Sequence, residues 1–171
     1  MGWKILVLLG VTLAYSVWYT TMGPYSQLAG LAPGMPLEER GFYTGADAVK
    51  TLGGLSETGA QKKYISLIFD VPYMILWALL FEALIGFGIR RMNKTKPIWG
   101  LLFFLPIAFL LTDFAEDSFL ALTLATGSEL LGSIAGVLTA LKFFAYMAAA
   151  LSGIGMSLTG LYVWAFKSKS A

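Results

Sequence analysis

Residues 111–120 read LTDFAEDSFL, and Asp113, Glu116 and Asp117 stand there in a run otherwise apolar enough to cross a bilayer. A charge at mid-membrane costs about 2.5–3.5 kcal/mol on insertion scales, so three of them need a reason. Separations of three and four residues put all three on one face of a helix. Two further charges have similar surroundings, Asp70 in YISLIFDVPYMIL and Lys142 in LTALKFFAY, and Tyr73 follows Asp70 by one turn. Such a set suits coordination of a hard cation (Ca²⁺, Mg²⁺ or Mn²⁺) through oxygen, the sharing of a proton, or the binding of a polar lipid headgroup. Four carboxylates against one lysine leave a surplus of three negative charges if all ionise. One or more must therefore be protonated, hydrated or bound to a cation. The same residues also allow a ligand-free reading, in which Lys142 pairs with Asp113 or Asp117 and fixes helix register in a non-catalytic accessory or assembly subunit of a larger membrane complex.

Absent residues exclude other chemistry. The chain has no cysteine and no histidine. Disulfides, thiol relays, iron–sulfur clusters, zinc sites, histidine-ligated haem and imidazole proton shuttles are therefore not expected. No basic stripe suited to a nucleic-acid backbone is present, and the net charge is only +2. No catalytic motif stands out, so a lipid-modifying enzyme using carboxylates for acid–base or metal-assisted work ranks behind binding or transport.

The elements that must hold these residues are membrane helices. The 171 residues are 57% hydrophobic and 13% charged, with a mean hydropathy of +0.73, against roughly 45–50% and about 25% in a soluble domain. Four apolar segments, about 3–21, 64–89, 98–125 and 141–166, are long enough to span. Backbone satisfaction in lipid makes them helices, so an all-α integral membrane four-helix bundle in a single domain is expected. Lys4, the cluster Arg90, Arg91, Lys94 and Lys96, and the pair Lys167 and Lys169 fall on one side of four spans. The positive-inside rule places that side, with both termini, in the cytoplasm of a plasma or bacterial inner membrane, and puts loop 22–63 outside. Asp113 then lies roughly 22 Å into span three, past the midplane. Asp70, Tyr73, Asp113, Glu116, Asp117 and Lys142 can meet there, in the outer half of the bundle. The start of the chain also fits a signal peptide cleaved near Ala14, although the apolar and aromatic run continues through Tyr19.

Within loop 22–63, Thr44 and Asp47 have the spacing of a capping box, which predicts a short helix over 45–52 that stops at Gly53-Gly54. This loop reads as a solvated lid carrying a surface-lying helix, with a substrate gate or partner-docking surface as the alternative. Thr58 and Gln61 offer a second capping box for span two, in which Pro72 predicts a kink. Glu82 has Thr12, Tyr15, Ser16, Ser152 and Ser157 as candidate partners. Gly132, Gly136 and Ala140, then Ala149, Gly153 and Gly160, permit close helix approach along span four, within the chain or to a second copy or larger complex. Asn93-Lys94-Thr95 is a glycosylation sequon on the side expected to be cytoplasmic.

The pattern Tyr43…Ala46…Leu52-Gly53…Gly59…Tyr64, Asp70-Val-Pro72-Tyr73 and Asp113-Phe-Ala-Glu116-Asp117 resembles a loose group of small bacterial four-span membrane proteins. Those carry a similar Gly…Tyr…Asp…Pro run and an Asp-x-x-Glu-Asn stretch in span three. Here Asp117 replaces the Asn, and Ala60 stands where Arg is frequent. The resemblance covers residues 43–117 and implies the fold and the site's position, with no activity attached. A claudin-like layout fails, because loop 22–63 has neither tryptophan nor cysteine.

Overall fold

The computed structural model describes residues 2–28, 31, 36–93 and 96–167, without the Lys167 side chain. These residues form helices and no strand. The order is α1 (Gly2–Thr21), a 3-10 turn (Leu37–Glu39), α2 (Gly45–Gly53), α3 (Glu57–Arg91), a 3-10 segment (Pro97–Phe103), α4 (Phe104–Thr126) and α5 (Glu129–Lys167). Four helices are long and apolar enough to cross a membrane. Their outward faces carry many exposed large apolar side chains, among them Leu6, Ile68, Phe104, Phe144 and Leu158.

At 1.5 Å per residue, the 35 residues of α3 and 39 of α5 extend roughly 52 and 58 Å, well beyond a ~30 Å hydrocarbon core. The excess of α5 is the main departure from expectation. This helix starts at Glu129 rather than near 141. Gly127 closes α4 in the left-handed conformation (φ 67°), its N–H donating to the Thr123 carbonyl. Ser128 then opens α5, accepting from the Leu131 N–H at 3.5 Å. A turn this short makes α4 and α5 antiparallel neighbours.

The α2 helix is less solvated than a surface-lying lid. Its capping box forms as predicted: Thr44 Oγ1 accepts from the Asp47 N–H, and the Asp47 carboxylate accepts from the Thr44 N–H and hydroxyl. Those bonds hold the Asp47 carboxyl below its ordinary range. Ala48 and Leu52 are buried with Leu37, Tyr43, Leu67, Leu120 and Ala135 in a core beyond the mid-bundle. Contact there is close because glycine permits it. A Cβ on Gly136 would lie 2.0 Å from the Tyr43 carbonyl oxygen, and one on Gly45 1.9 Å from that of Glu129. Farther along, a Cβ on Gly160 would meet Gly88 Cα of α3 at 3.0 Å. These glycines of α5 thus serve packing within the chain.

Ser56, rather than Thr58, caps α3, accepting from the Gly59 N–H at 3.2 Å. The helix runs uninterrupted through Pro72. In the two turns before it, α1 supplies hydroxyls to α3 carbonyls. Tyr15 donates to the Phe69 carbonyl at 2.7 Å and Tyr19 to that of Ser66 at 3.1 Å. Tyr15 is therefore committed to α3 rather than to Glu82. The hydroxyls of Thr12 and Ser16 bond back to α1 carbonyls, and Ser157 donates to the Leu84 carbonyl, so these also turn away from Glu82.

Candidate functional site

Side chains equidistant from the Gly127–Ser128 turn face each other across α4 and α5. Leu120 meets Ala135 in the core. One turn deeper, the Thr139 hydroxyl lies 2.5 Å from Glu116 Oε1, while also 3.0 Å from the Ala135 carbonyl. One turn further, the Lys142 ammonium lies 3.0 Å from Asp113 Oδ1 and pairs with Glu116 Oε2. Glu116 is 0% exposed and Asp113 3%. Each Glu116 oxygen thus has a partner, and Lys142 clamps α5 to two successive positions of α4.

Asp117 differs. It is 6% exposed, and neither of its carboxylate oxygens has a hydrogen-bond partner. Placed one residue beyond Glu116, it turns about 100° away from the Lys142 clamp and towards α3. There one oxygen each of Asp70, Asp113 and Asp117 lie within 4.8 Å of one another. Three carboxylates at that separation repel strongly in a low-dielectric setting unless a positive charge or protons intervene.

Asp70 and Asp113 open onto a cavity of about 310 Å³ at the α2 end of the bundle. Lys142 and Tyr73 also line it, so the structure brings all six expected residues together, with Glu116 and Asp117 behind the wall. Sequence reasoning missed the rest of the enclosure. Glu38 and Glu39 reach the cavity from the 3-10 turn, and Tyr19, Tyr25, Phe109 and Tyr146 supply aromatic walls. Tyr25 donates to Glu39. Burial first, and then this bond to Glu39, pushes the Tyr25 hydroxyl above its ordinary pKa. Glu38 forms an ion pair with Lys63, whose side chain is 6% exposed. With this pair added, and the exposed Glu39 left aside, five carboxylates face two lysines, a surplus of three negative charges if all ionise.

Towards the other end of the bundle the cavity is closed by rings. Trp77 and Phe81, one and two turns beyond Tyr73, pack with Tyr146 and Phe109 at centroid distances of 5.3–6.5 Å. The carboxylates thus lie on the α2 side of these rings. Comparison of the chain with protein-family models, curated proteins and solved structures returns no match, so the functional reading rests on this geometry.

Proposed function

We propose that the chain is a four-span integral membrane protein whose carboxylate-lined cavity opens to the outer side and binds a small cation. The carrying observation is Asp117, a buried carboxylate with two unpartnered oxygens next to Asp70 and Asp113. An uncompensated buried charge of this kind is costly, and a cation bridging the three removes the cost. The aromatic closure beneath the cavity favours binding over passage through the bundle in this conformation. The register-fixing role falls to other members of the cluster, because Lys142, Asp113, Glu116 and Thr139 form a paired network between α4 and α5.

The experiment uses purified protein in phosphatidylcholine nanodiscs, screened for thermal stabilisation by sodium, potassium, magnesium, calcium, manganese and organic ammonium salts. A ligand at a hundred times its Kd stabilises by about 2.7 kcal/mol. At least one cation should stabilise wild type saturably and fail with Asp117→Asn. Equal responses from the two proteins, or none from any salt, would remove the site. Orientation is tested separately in this cysteine-free chain. Glu57→Cys should react with a membrane-impermeant maleimide in intact cells, and Asn93→Cys only after lysis; the reverse pattern would invert the topology.

A further inference from the structure

The cavity is far larger than an ion needs. At about 310 Å³ it exceeds the roughly 30 Å³ share of a single water about tenfold and reaches the range of small-molecule sites. Its walls are also wrong for a hydrated metal ion. Tyr19, Tyr25, Tyr73, Phe109, Phe143 and Tyr146 line it, and its charged groups are Asp70, Asp113 and Lys142 from the long helices with Glu38 and Glu39 from the 3-10 turn. Tyr19 stands between Tyr25 and Tyr73, with both ring centroids 5.4 Å from its own. Aromatic faces beside carboxylates suit an organic cation, which gains from the rings as well as from the charge.

The carboxylate spacing admits an ammonium, and its hydrogen-bond donors narrow the class of organic cation. Three hydrogen bonds of about 2.8 Å leaving one tetrahedral nitrogen end on oxygens roughly 4.6 Å apart. Oxygens of Asp70, Asp113 and Asp117 fall within 4.8 Å of one another. An –NH3⁺ group has three donors for these three acceptors. A trimethylated nitrogen has none, and would leave the buried oxygens of Asp117 unpaired. We infer that the ligand is a primary amine, its ammonium entering between Asp70 and Asp113 at the cavity wall to reach Asp117 behind them, and its organic body lying against the aromatic wall. This deepens the cation-site reading and rests on it. A free amine and an ethanolamine lipid headgroup share that chemistry.

The test uses the full chain in phosphatidylcholine nanodiscs with three probes: 2-phenylethylamine, its N,N,N-trimethyl counterpart, and calcium or magnesium chloride. The primary amine should raise the unfolding midpoint saturably, by roughly 5–10 °C at a hundredfold excess over Kd, and bind at least tenfold more tightly than the trimethyl compound. Asp117→Asn should abolish the response. Asp70→Asn, at the more open position, should weaken it if Asp117→Asn does not fold. Equal binding of the two organic probes would overturn the inference. A metal response that Asp117→Asn abolishes, with no amine response, would overturn it while leaving the cation site standing. Silence from every probe would overturn the inference, and the cation site would then fall or stand by the wider salt screen. Discs containing phosphatidylethanolamine separate the sources: a raised midpoint with a blunted amine response supports a lipid headgroup, and an unchanged amine response supports a free amine.

Discussion

Replacing Lys142 by Met tests the network most directly. Methionine keeps the length of the stem and removes the ammonium that stands between Asp113 Oδ1 and Glu116 Oε2. Glu116 is 0% exposed, so water cannot take over there, and Asp113, 3% exposed, meets only the cavity at its edge. Breaking a buried pair by deleting one partner costs about 3–5 kcal/mol. For a chain of this size that lowers the unfolding midpoint by roughly 6–20 °C. The assay is thermal unfolding in nanodiscs, run as a double-mutant cycle with Glu116→Gln. Glutamine still accepts from Thr139 through its carbonyl oxygen and carries no charge. Lys142→Met/Glu116→Gln should therefore recover at least half of the loss, with a coupling of about 1.5–3 kcal/mol. A single-mutant cost below about 1 kcal/mol, or additivity within about 0.5 kcal/mol, would refute the view that Lys142 holds α4 and α5 together.

Two further outcomes follow from the α2 end. Gly136→Ala and Gly45→Ala force backbone apart, since their Cβ atoms would approach carbonyl oxygens at 2.0 and 1.9 Å. Each should cost about 1–3 kcal/mol or more, whereas Gly155→Ala, with nothing within 4 Å, should be neutral or stabilising in the same unfolding assay. Alkaline titration reports on Tyr25 and Tyr43. Burial, then Glu39, raises the pKa of the first, and burial, then Glu116, raises that of the second. A folded pKa above the unfolded value of about 10 gives stability that is full below pH ~10 and lost as pH rises through the folded pKa. Tyrosinate absorbance of the folded protein should lag that of free tyrosine, and Tyr25→Phe should lessen the alkaline loss of stability; titration like that of free tyrosine, with no change in Tyr25→Phe, would contradict both.

What the sequence made legible was local or periodic. Thr44 and Asp47 announce the start of α2 because a capping box needs only four residues. The shared face of Asp113, Glu116 and Asp117 follows from helical spacing alone. The beginning of α5 was missed because a hydrophobic window recognises the span and not its extension. Gly127 followed by Ser128 was the available signal, a C-terminal glycine adjoining an N-terminal cap. Reading that turn would have paired Asp113 with Lys142 and Glu116 with Thr139 by simple register. Glu38 and Lys63 left no such mark. Their pairing depends on how loop 22–63 folds back over the helix ends, across a separation of 25 residues, and no local spacing encodes that.

The same register argument divides the acidic face into two jobs, and the division can be tested. Asp113 touches both parties, the Lys142 clamp and the triad with Asp70 and Asp117. Asp117 has no partner in the clamp. Asp113→Asn should therefore destabilise the protein with or without ligand, because Lys142 loses half of its compensation. Asp117→Asn should leave the ligand-free protein unchanged, or stabilise it by about 1 kcal/mol, since it removes a buried charge that nothing offsets. Its cost should appear only when cation is added, as a lost rise in the unfolding midpoint. If Asp117 were instead one more structural carboxylate, both substitutions would weaken the ligand-free protein, and adding cation would change neither difference. A loss from Asp113→Asn beside no loss, or a gain, from Asp117→Asn in the absence of ligand is what a site built on a structural clamp requires.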